Sequence, residues 1–248
     1  MTRISISPDK AALNHQAAAL VADTVNAAVA ARGWATLSLS GGSTPKALYE
    51  LLATPEWKGR IPWKSVQIFW GDERFVPPDD KESNYRMVKE ALLSKVEIPA
   101  GNVHRVMTET GPPEQVAEAY ERTIREVFRT PRGGVPVFDL VLLGLGENGH
   151  TASLFPHTAL LHENQRLFAA EFIAEVNMYR LSMTVPLLNA GRSKVFLVAG
   201  EGKAAVVRDV VEGPYRPEEL PSQLIKPEPG ELLWLLDRAA ASKLTKAA

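Results

Sequence analysis

The chain has 248 residues, of which 45% are hydrophobic, with a formal net charge of -1 and no cysteine. This length holds one large α/β domain or two small ones, and the near-neutral charge gives no electrostatic reason to expect a nucleic acid or an anionic membrane as partner. The lack of cysteine excludes disulfides, thiolate metal ligands and a cysteine nucleophile, and it fits a reducing cytosol, so we expect a cytoplasmic protein.

The N-terminal region predicts a strand and a long packing helix. Ile4 and Ile6 alternate with polar residues, as in a strand, and Asp9 is placed to cap the helix that Gly33 ends. Residues 1–10 lack the apolar stretch of a signal peptide, and polar residues interrupt the alanine-rich helix. Neither segment therefore predicts membrane insertion.

A second strand, at residues 34–40, runs into the sequence GGSTP at residues 41–45. Pro45 suits the first turn of a helix, and Ser43 or Thr44 is predicted to cap that helix. Two glycines and two hydroxyls at a helix N-terminus form an array of hydrogen-bond donors that suits a phosphate group. An ordinary capped turn is the alternative, since the lysine of a Walker sequence is absent.

Three charged residues, Asp72, Glu73 and Arg74, follow a third apolar strand at residues 66–70. At the carboxyl end of a buried strand, such charges face either a ligand or each other in an internal salt bridge. Farther along the chain, Ser83 is predicted to cap a short helix.

The region before the central strand predicts a short strand at residues 102–107 and an amphipathic helix at residues 112–129. Residues 132–134 then lead back to the sheet. Beyond the central strand, His157 and His162 lack the neighbouring carboxylates or histidines of a metal site. We expect both to be loop residues, and we expect no bound metal.

Residues 137–143 form an almost continuous apolar run, as in a central parallel strand that is covered on both faces. Three glycines follow the run, Gly144, Gly146 and Gly149, which permit positive φ angles and let a ligand approach the backbone. This turn delivers His150 to the edge of the sheet where ligands bind in open α/β folds.

The same glycines spell G-x-G-x-x-G, a fingerprint of dinucleotide sites. That fingerprint requires a helix to start at Gly149. Pro156 would end any such helix after little more than one turn. We therefore reject a dinucleotide site and expect no cofactor.

The C-terminal part of the chain continues the alternation of strands and helices. Strands are predicted at residues 180–185, 195–199 and 232–236, with a helix from Lys203 and an alanine-rich helix at the C-terminus. Repeated strand, turn and helix units predict an α/β fold with three α/β/α layers around a mostly parallel, Rossmann-like sheet. We expect a single domain of residues 1–248.

Five motifs occur in order along the chain: GGSTP, GDER, GLGENGHTASLFP, RLSMTVPLLN and GEGKA. With them the chain resembles the 6-phosphogluconolactonases, whose wider group includes the glucosamine-6-phosphate deaminases and is similar in fold to ribose-5-phosphate isomerases. The match runs from about Gly41 to Lys203, and HTASLFP is its most specific part. The resemblance implies a cofactor-free hydrolase of the oxidative pentose phosphate pathway. Its substrate would be a small phosphorylated sugar lactone, 6-phospho-D-glucono-1,5-lactone, which it would open to 6-phospho-D-gluconate.

The resemblance also implies roles for particular residues. His150, a side chain with an ordinary pKa of about 6.5, is the candidate base that activates water. Arg74 is suited to hold the carbonyl oxygen or ring hydroxyls, and Asp72 to orient Arg74 or to accept sugar hydroxyls. The phosphate is expected on the GGSTP loop, with charge from Arg180 and Lys203. The expected substrate-binding residues are Gly42, Ser43, Thr44, Gly146, Asn148, Arg180 and Lys203.

Two positions depart from related sequences. Phe155 occupies the position where deaminases carry a glutamate that assists ring opening, which favours lactone hydrolysis. Asn148 stands where the family often has aspartate, which questions any mechanism in which a carboxylate there sets the tautomer of His150. A glucosamine-6-phosphate deaminase or sugar-phosphate isomerase of the same fold, and a non-catalytic sugar-phosphate sensor, are the alternatives. We expect a monomer without nucleic-acid or membrane partners.

Overall fold

The computed structural model of the protein describes residues 2–131 and 133–245. Arg132, in the predicted return to the central strand, and residues 246–248, at the end of the predicted C-terminal helix, lie outside the described residues. The described strands are β1 (Thr2–Ser7), β2 (Ala35–Leu39), β3 (Val66–Trp70), β4 (Asp72–Arg74), β5 (Leu140–Leu143), β6 (Phe168–Ile173), β7 (Met178–Met183), β8 (Ser193–Val198) and β9 (Glu231–Asp237). The described α-helices are α1 (Lys10–Arg32), α2 (Ser43–Leu52), α3 (Pro55–Lys58), α4 (Asn84–Val88), α5 (Pro113–Phe128), α6 (Val185–Ala190) and α7 (Ala204–Val211).

Six of these strands form one parallel sheet in the order β1-β9-β8-β5-β2-β3. The direction of winding changes between β2 and β5, since β3 follows β2 on one side and β5, β8 and β9 extend the sheet on the other. This confirms the predicted α/β fold with a mostly parallel central sheet. The other three strands form a small antiparallel sheet in the order β4-β7-β6, which the sequence patterns do not predict.

Helices cover the parallel sheet on both faces. Every residue of β2, β5 and β8 is buried, and successive side chains of a strand point to opposite faces. The long helix α1 packs against β1, β2 and β9. As predicted, the carboxylate of Asp9 caps α1 by accepting the N–H of Ala12 at 2.8 Å, and Gly33 ends the helix at a φ of 82°.

Two predicted elements are absent from the described residues. Residues 102–107 contain a single bridge, between Val103 and Ile68, because this segment crosses the edge strand β3 at one point instead of running along it. Residues 238–243 form turns instead of a helix, and the carboxylate of Asp237 accepts a backbone N–H within them.

The parallel sheet gathers the predicted site residues at one edge. The loops after β8, β5, β2 and β3 all leave the carboxyl ends of neighbouring strands, so that they lie side by side. They begin at Ala199, Gly144, Ser40 and Gly71, respectively. None of the described helices is long and apolar enough to cross a membrane.

Candidate active site

A cavity of about 480 Å³ opens at this edge of the sheet, next to the point where the winding direction changes. Eight of the predicted site residues line it: Gly42, Asp72, Arg74, Gly146, Asn148, His150, Arg180 and Lys203. Ser43 and Thr44 line a smaller cavity of about 150 Å³, which shares Gly42, Gly144 and Lys203 with the first. The fold therefore brings all ten predicted residues to two adjoining cavities.

The imidazole of His150 is half-buried and closely packed. Its Nδ1 atom lies 2.6 Å from Oδ1 of Asn148, and its ring stacks on Phe155 with 4.1 Å between centroids. A Cβ atom on Gly146 would lie 2.0 Å from Nδ1, so glycine at this position leaves room for the ring. Burial lowers the pKa of His150 to about 4, although the carboxylate of Asp72 opposes the shift. The ring is therefore neutral at neutral pH.

Only one of the three glycines before His150 has a positive φ angle. Gly149 has a φ of 82°, and a Cβ atom there would meet Leu220 at 2.6 Å. Gly144 and Gly146 do not adopt the positive φ that glycine permits, and Gly146 instead gives the imidazole room to approach the backbone. Residues 150–156 form turns and an isolated bridge, so the helix that a dinucleotide site requires does not start at Gly149.

The three charged side chains after β3 point to two different faces of β4, because successive side chains of a strand point to opposite faces. Asp72 and Arg74 line the cavity, whereas Glu73 is buried away from it. The Glu73 carboxylate accepts the backbone N–H groups of Asn84 and Tyr85, at 2.7 and 2.8 Å, at the start of α4. Burial raises the pKa of Glu73 to about 7, against the effect of these donors. Glu73 is therefore a structural residue, and the other two face the cavity.

Asp72 and Arg74 do not form an ion pair. Asp72 Oδ2 accepts the hydroxyl of Ser153 at 2.7 Å, while Nη1 of Arg74 donates to the backbone carbonyl of Glu82 at 2.7 Å. The suggestion that Asp72 orients Arg74 is thus wrong for this geometry, since each side chain has another partner. Among the described residues, these bonds leave Asp72 Oδ1 and the remaining N–H groups of Arg74 without a hydrogen-bond partner.

Arg74 and Arg180 are direct cross-strand partners in the small antiparallel sheet, so both side chains lie on the same face. Arg180 is 9% exposed, and its Nε atom has no hydrogen-bond partner in the part of the chain that the structure describes. Burial lowers the pKa of Arg180, and the charge of Arg74 lowers it further. The two adjacent guanidinium groups repel one another, so an anion is the complementary ligand.

The GGSTP loop presents free donors beside Lys203. Gly42, with a φ of 106°, is the N-cap of α2, and no side chain caps this helix. The predicted capping by Ser43 or Thr44 is wrong, because both residues already belong to the first helical turn. Lys46 is the first residue of α2 with an N–H bonded to a preceding carbonyl, that of Gly42 at 3.0 Å. The N–H groups of Ser43 and Thr44 therefore have no partner inside the helix, next to the cavity that Lys203 also lines.

Sequence reasoning missed several residues that line the cavity, among them Ser40 and Glu175. The hydroxyl of Ser40 is buried without a partner, while Tyr49 binds both the N–H and the C=O of Ser40. The position of Ser40 between a buried strand and two glycines could have identified it as a site residue from the sequence. Glu175 comes from the tip of the β6–β7 hairpin and bonds to Asn148, and its local sequence carries no such signal.

The two histidines that we expected in loops are outside the cavity. His157 lies in an exposed turn, and Nε2 of His162 is 3.2 Å from the carboxylate of Glu218. Within residues 2–131 and 133–245, no three His, Asp or Glu side chains are grouped as metal ligands.

The sequence model of the family described as "Glucosamine-6-phosphate isomerases/6-phosphogluconolactonase" matches residues 8–234 of the chain. The chain belongs to this family. Curated relatives include the 6-phosphogluconolactonase of Synechocystis sp., with 42% identity over 98% of each chain, and that of Homo sapiens, with 38% identity over 98% of this chain and 93% of the human one. A solved structure of "6-phosphogluconolactonase from Trypanosoma cruzi" matches with a TM-score of 0.87 and 29% identity, covering 99% of this chain and 97% of that chain.

The family match also covers the whole of the predicted site. All ten predicted site residues, from Gly42 to Lys203, lie inside the matched range of 8–234. The whole lining of the cavity, from Ser40 to Lys203, and strands β2, β3, β5 and β8 are therefore inside the region by which the chain belongs to this family.

Proposed function

We propose that this family member hydrolyses 6-phospho-D-glucono-1,5-lactone to 6-phospho-D-gluconate in the oxidative pentose phosphate pathway. Relatives named 6-phosphogluconolactonase that align over nearly the full length support the proposal. The observation that carries it is one cavity shared by the neutral imidazole of His150, the unpaired guanidinium groups of Arg74 and Arg180, and the ammonium of Lys203. A base for water, a cation for a developing oxyanion and cations for a phosphate are what this hydrolysis needs.

In the proposed reaction, Nε2 of His150 takes a proton from water while the water oxygen attacks the C1 carbonyl carbon. Negative charge develops on the former carbonyl oxygen, and we assign its stabilisation to Arg74. The C1–O5 bond then breaks, and the imidazolium returns its proton to O5. The products are a carboxylic acid, which ionises in water, and a free C5 hydroxyl.

We assign the phosphate group to the part of the site next to the GGSTP loop. The N–H groups and hydroxyls of Ser43 and Thr44, with Lys203 and Arg180, provide donors and positive charge for it. Asp72 keeps one carboxylate oxygen for a sugar hydroxyl, since the other accepts from Ser153.

Phe155 argues against the deaminase alternative. Its ring is buried and stacked on His150, in the position where ring opening of an amino sugar needs a side chain that transfers a proton. Lactone hydrolysis has no such step, because the lactone carbonyl is already electrophilic.

The direct test follows acid release from freshly made lactone with and without the protein, beside an assay for ammonia release from glucosamine 6-phosphate. We expect acid release above the spontaneous rate, no ammonia, and full activity in the presence of a chelator. Ammonia release would support the deaminase instead. Tight binding of 6-phosphogluconate without turnover would support a sensor.

Two variants separate the proposed roles within the cavity. We expect His150→Ala to lower kcat by about 100-fold or more, and Lys203→Ala mainly to raise KM. His162→Ala is the matched control, because His162 is exposed and lies outside the cavity lining. An unchanged rate in His150→Ala, after subtraction of spontaneous hydrolysis, would overturn the assignment of the base.

We further propose that the protein is a cytoplasmic monomer with a single domain. Size-exclusion chromatography with light scattering tests the monomer. One cooperative unfolding transition, seen equally by fluorescence and circular dichroism, is expected for a single domain.

A further inference from the structure

The amide of Asn148 lies between a carboxylate and the imidazole of His150. Its Nδ2 atom is 3.0 and 3.2 Å from the two carboxylate oxygens of Glu175, and its Oδ1 atom is 2.6 Å from Nδ1 of His150. An ionised carboxylate only accepts hydrogen bonds, so Glu175 selects the orientation in which the amide NH2 group points toward it. The oxygen of Asn148 must then face His150.

This orientation determines which nitrogen of the imidazole carries the proton. An amide oxygen only accepts, so Nδ1 of His150 must donate and carry the hydrogen. Nε2 then holds the free lone pair of the neutral ring. This is the nitrogen that takes a proton from water in the proposed reaction.

We propose that Glu175 is a positioning residue that, through the amide of Asn148, keeps His150 in the Nδ1–H tautomer. The catalytic consequence of this inference rests on the function proposed above. The tautomer itself does not depend on the substrate.

The need for such a residue follows from the chemistry of asparagine at position 148. A carboxylate there would present an acceptor to His150 in either orientation, whereas an amide can rotate and present its NH2 group with little change in shape. A rotated Asn148 would favour the Nε2–H tautomer, in which no lone pair is available to water. The backbone N–H of His150, 3.3 Å from Oδ1 of Asn148, also favours the observed orientation but is long for a strong hydrogen bond.

Glu175 reaches Asn148 from a separate part of the fold. It belongs to the short 3₁₀ turn Ala174–Val176 at the tip of the β6–β7 hairpin, and Asn177 closes that tip with a φ of 46°. Glu175 and Val176 both line the cavity. The hairpin therefore supplies one wall of the cavity and also the group that orients Asn148.

A double-mutant cycle tests this inference by activity. Glutamine at position 175 can turn its own NH2 group toward Asn148 and no longer selects one amide orientation. We expect Glu175→Gln to lower kcat by about 10-fold while KM changes little, since residues that orient a catalytic group typically have effects of this size. In an Asn148→Asp background, the same Glu175→Gln change should alter kcat by less than about twofold, because aspartate needs no orienting partner.

Nitrogen-15 NMR of histidine-labelled protein without substrate tests the tautomer directly. We expect the Nδ1–H form of His150 in the unsubstituted protein and a mixture of tautomers in Glu175→Gln. Glu147→Gln is the control, because it removes another exposed carboxylate of the cavity, one that pairs with Lys203 and not with Asn148. It should leave the tautomer unchanged.

Each outcome bears on the inference separately from the proposed function. The positioning role would be overturned if Glu175→Gln leaves the tautomer of His150 unchanged. It would also be overturned if Glu175→Gln lowers kcat equally with asparagine and with aspartate at position 148. If the unsubstituted protein releases no acid from the lactone, the proposed function fails, while the NMR comparison still decides whether Glu175 controls the tautomer.

Discussion

The charge state of His150 depends on the groups that surround its ring. Burial against Phe155 has the largest effect and lowers its pKa, and the cations Lys203 and Arg180 lower it further. The carboxylate of Asp72, which has the largest effect after burial, raises the pKa, and that of Glu175 raises it slightly. At any pH near neutrality the imidazole is therefore unprotonated and able to accept a proton. The imidazolium becomes more favourable when an anionic substrate lies beside it.

The pH dependence of His150 can be measured on the free protein. We expect its NMR titration midpoint near pH 4, below the ordinary value of about 6.5, because burial penalises the imidazolium. Lys203→Met should move the midpoint to higher pH, since removing a neighbouring cation favours protonation. A midpoint at the ordinary value in the folded protein would contradict this account.

At the scale of single residues, the sequence predicted groups whose position follows from local pattern. Asp72 and Arg74 follow the buried strand β3, and His150 ends the turn that follows β5; the carboxyl ends of these parallel strands meet at one edge. Glu175 was not predictable, because its role depends on where a hairpin tip lies relative to Asn148, 27 positions away in the sequence.

Among the elements, the turn after β5 has the most restrictive geometry. It must end a fully buried strand, reverse the chain at Gly149 and leave space for the imidazole over Gly146. The hydrogen bond from the N–H of Gly146 to the carbonyl of His150, at 2.8 Å, closes this turn. The same few residues thus fix both the backbone of this turn and the imidazole of His150.

Gly146→Ala tests this geometry. The added Cβ atom would lie 2.0 Å from Nδ1 of His150, so the ring must move and lose its hydrogen bond to Asn148. We expect kcat to fall by about 100-fold, comparable to loss of a general base, with the protein still folded. Gly144→Ala is the matched control in the same turn, because its Cβ atom would meet nothing within 4 Å and its φ is not positive. Steady-state kinetics and thermal melts of both variants are the measurements, and equal losses of kcat would contradict the steric explanation.

Elements were predicted well where hydrophobic periodicity is strong and poorly where pairing is non-local. β2, β3, β5 and β8 are apolar runs between turns, and each is close to its predicted position. The antiparallel sheet β4-β7-β6 was missed because β4 has only three residues, Asp72–Arg74, all charged. Its strand character comes from pairing with Arg180–Ser182 and not from its own composition.

At the scale of the whole molecule, two buried charged residues connect segments that are distant in sequence. Asp139 accepts hydrogen bonds from the N–H and the hydroxyl of Thr36 at 2.9 and 3.0 Å, and it also binds Arg32. Lys194 is fully buried and donates to backbone carbonyls of Asn189 and Gly191 and of the loop at residues 227–229. Asp139 is the one charged residue in the apolar run 137–143, but the sequence does not indicate its partners, because strand order determines them.

Lys194→Met tests how much such a connection stabilises the fold. Nζ of Lys194 lies 3.1 to 3.3 Å from the carbonyls of Asn189, Gly191 and Pro227, and it also contacts that of Pro229. Methionine preserves the apolar stem but leaves these buried acceptors without a donor, so we expect the free energy of unfolding to fall by about 3 kcal/mol. Removing the ammonium group offsets part of this loss of stability, because burial disfavours the charged form of Lys194 and lowers its pKa.

Urea denaturation of the Lys194→Met protein measures this change as a shift of the midpoint at constant slope. Lys64→Met is the control, because Lys64 is exposed and its pair with Glu97 at 3.5 Å should contribute less than about 1 kcal/mol. Lactone turnover at 25 °C should be unaffected, since Lys194 lies at the amino-terminal end of β8 and the cavity lies beyond its carboxyl end. If Lys194→Met lowers the turnover rate but not the free energy of unfolding, the two ends of β8 are coupled. This result would contradict the expectation that residues at the carboxyl end of the sheet carry the chemistry and that those at its amino-terminal end only stabilise the fold.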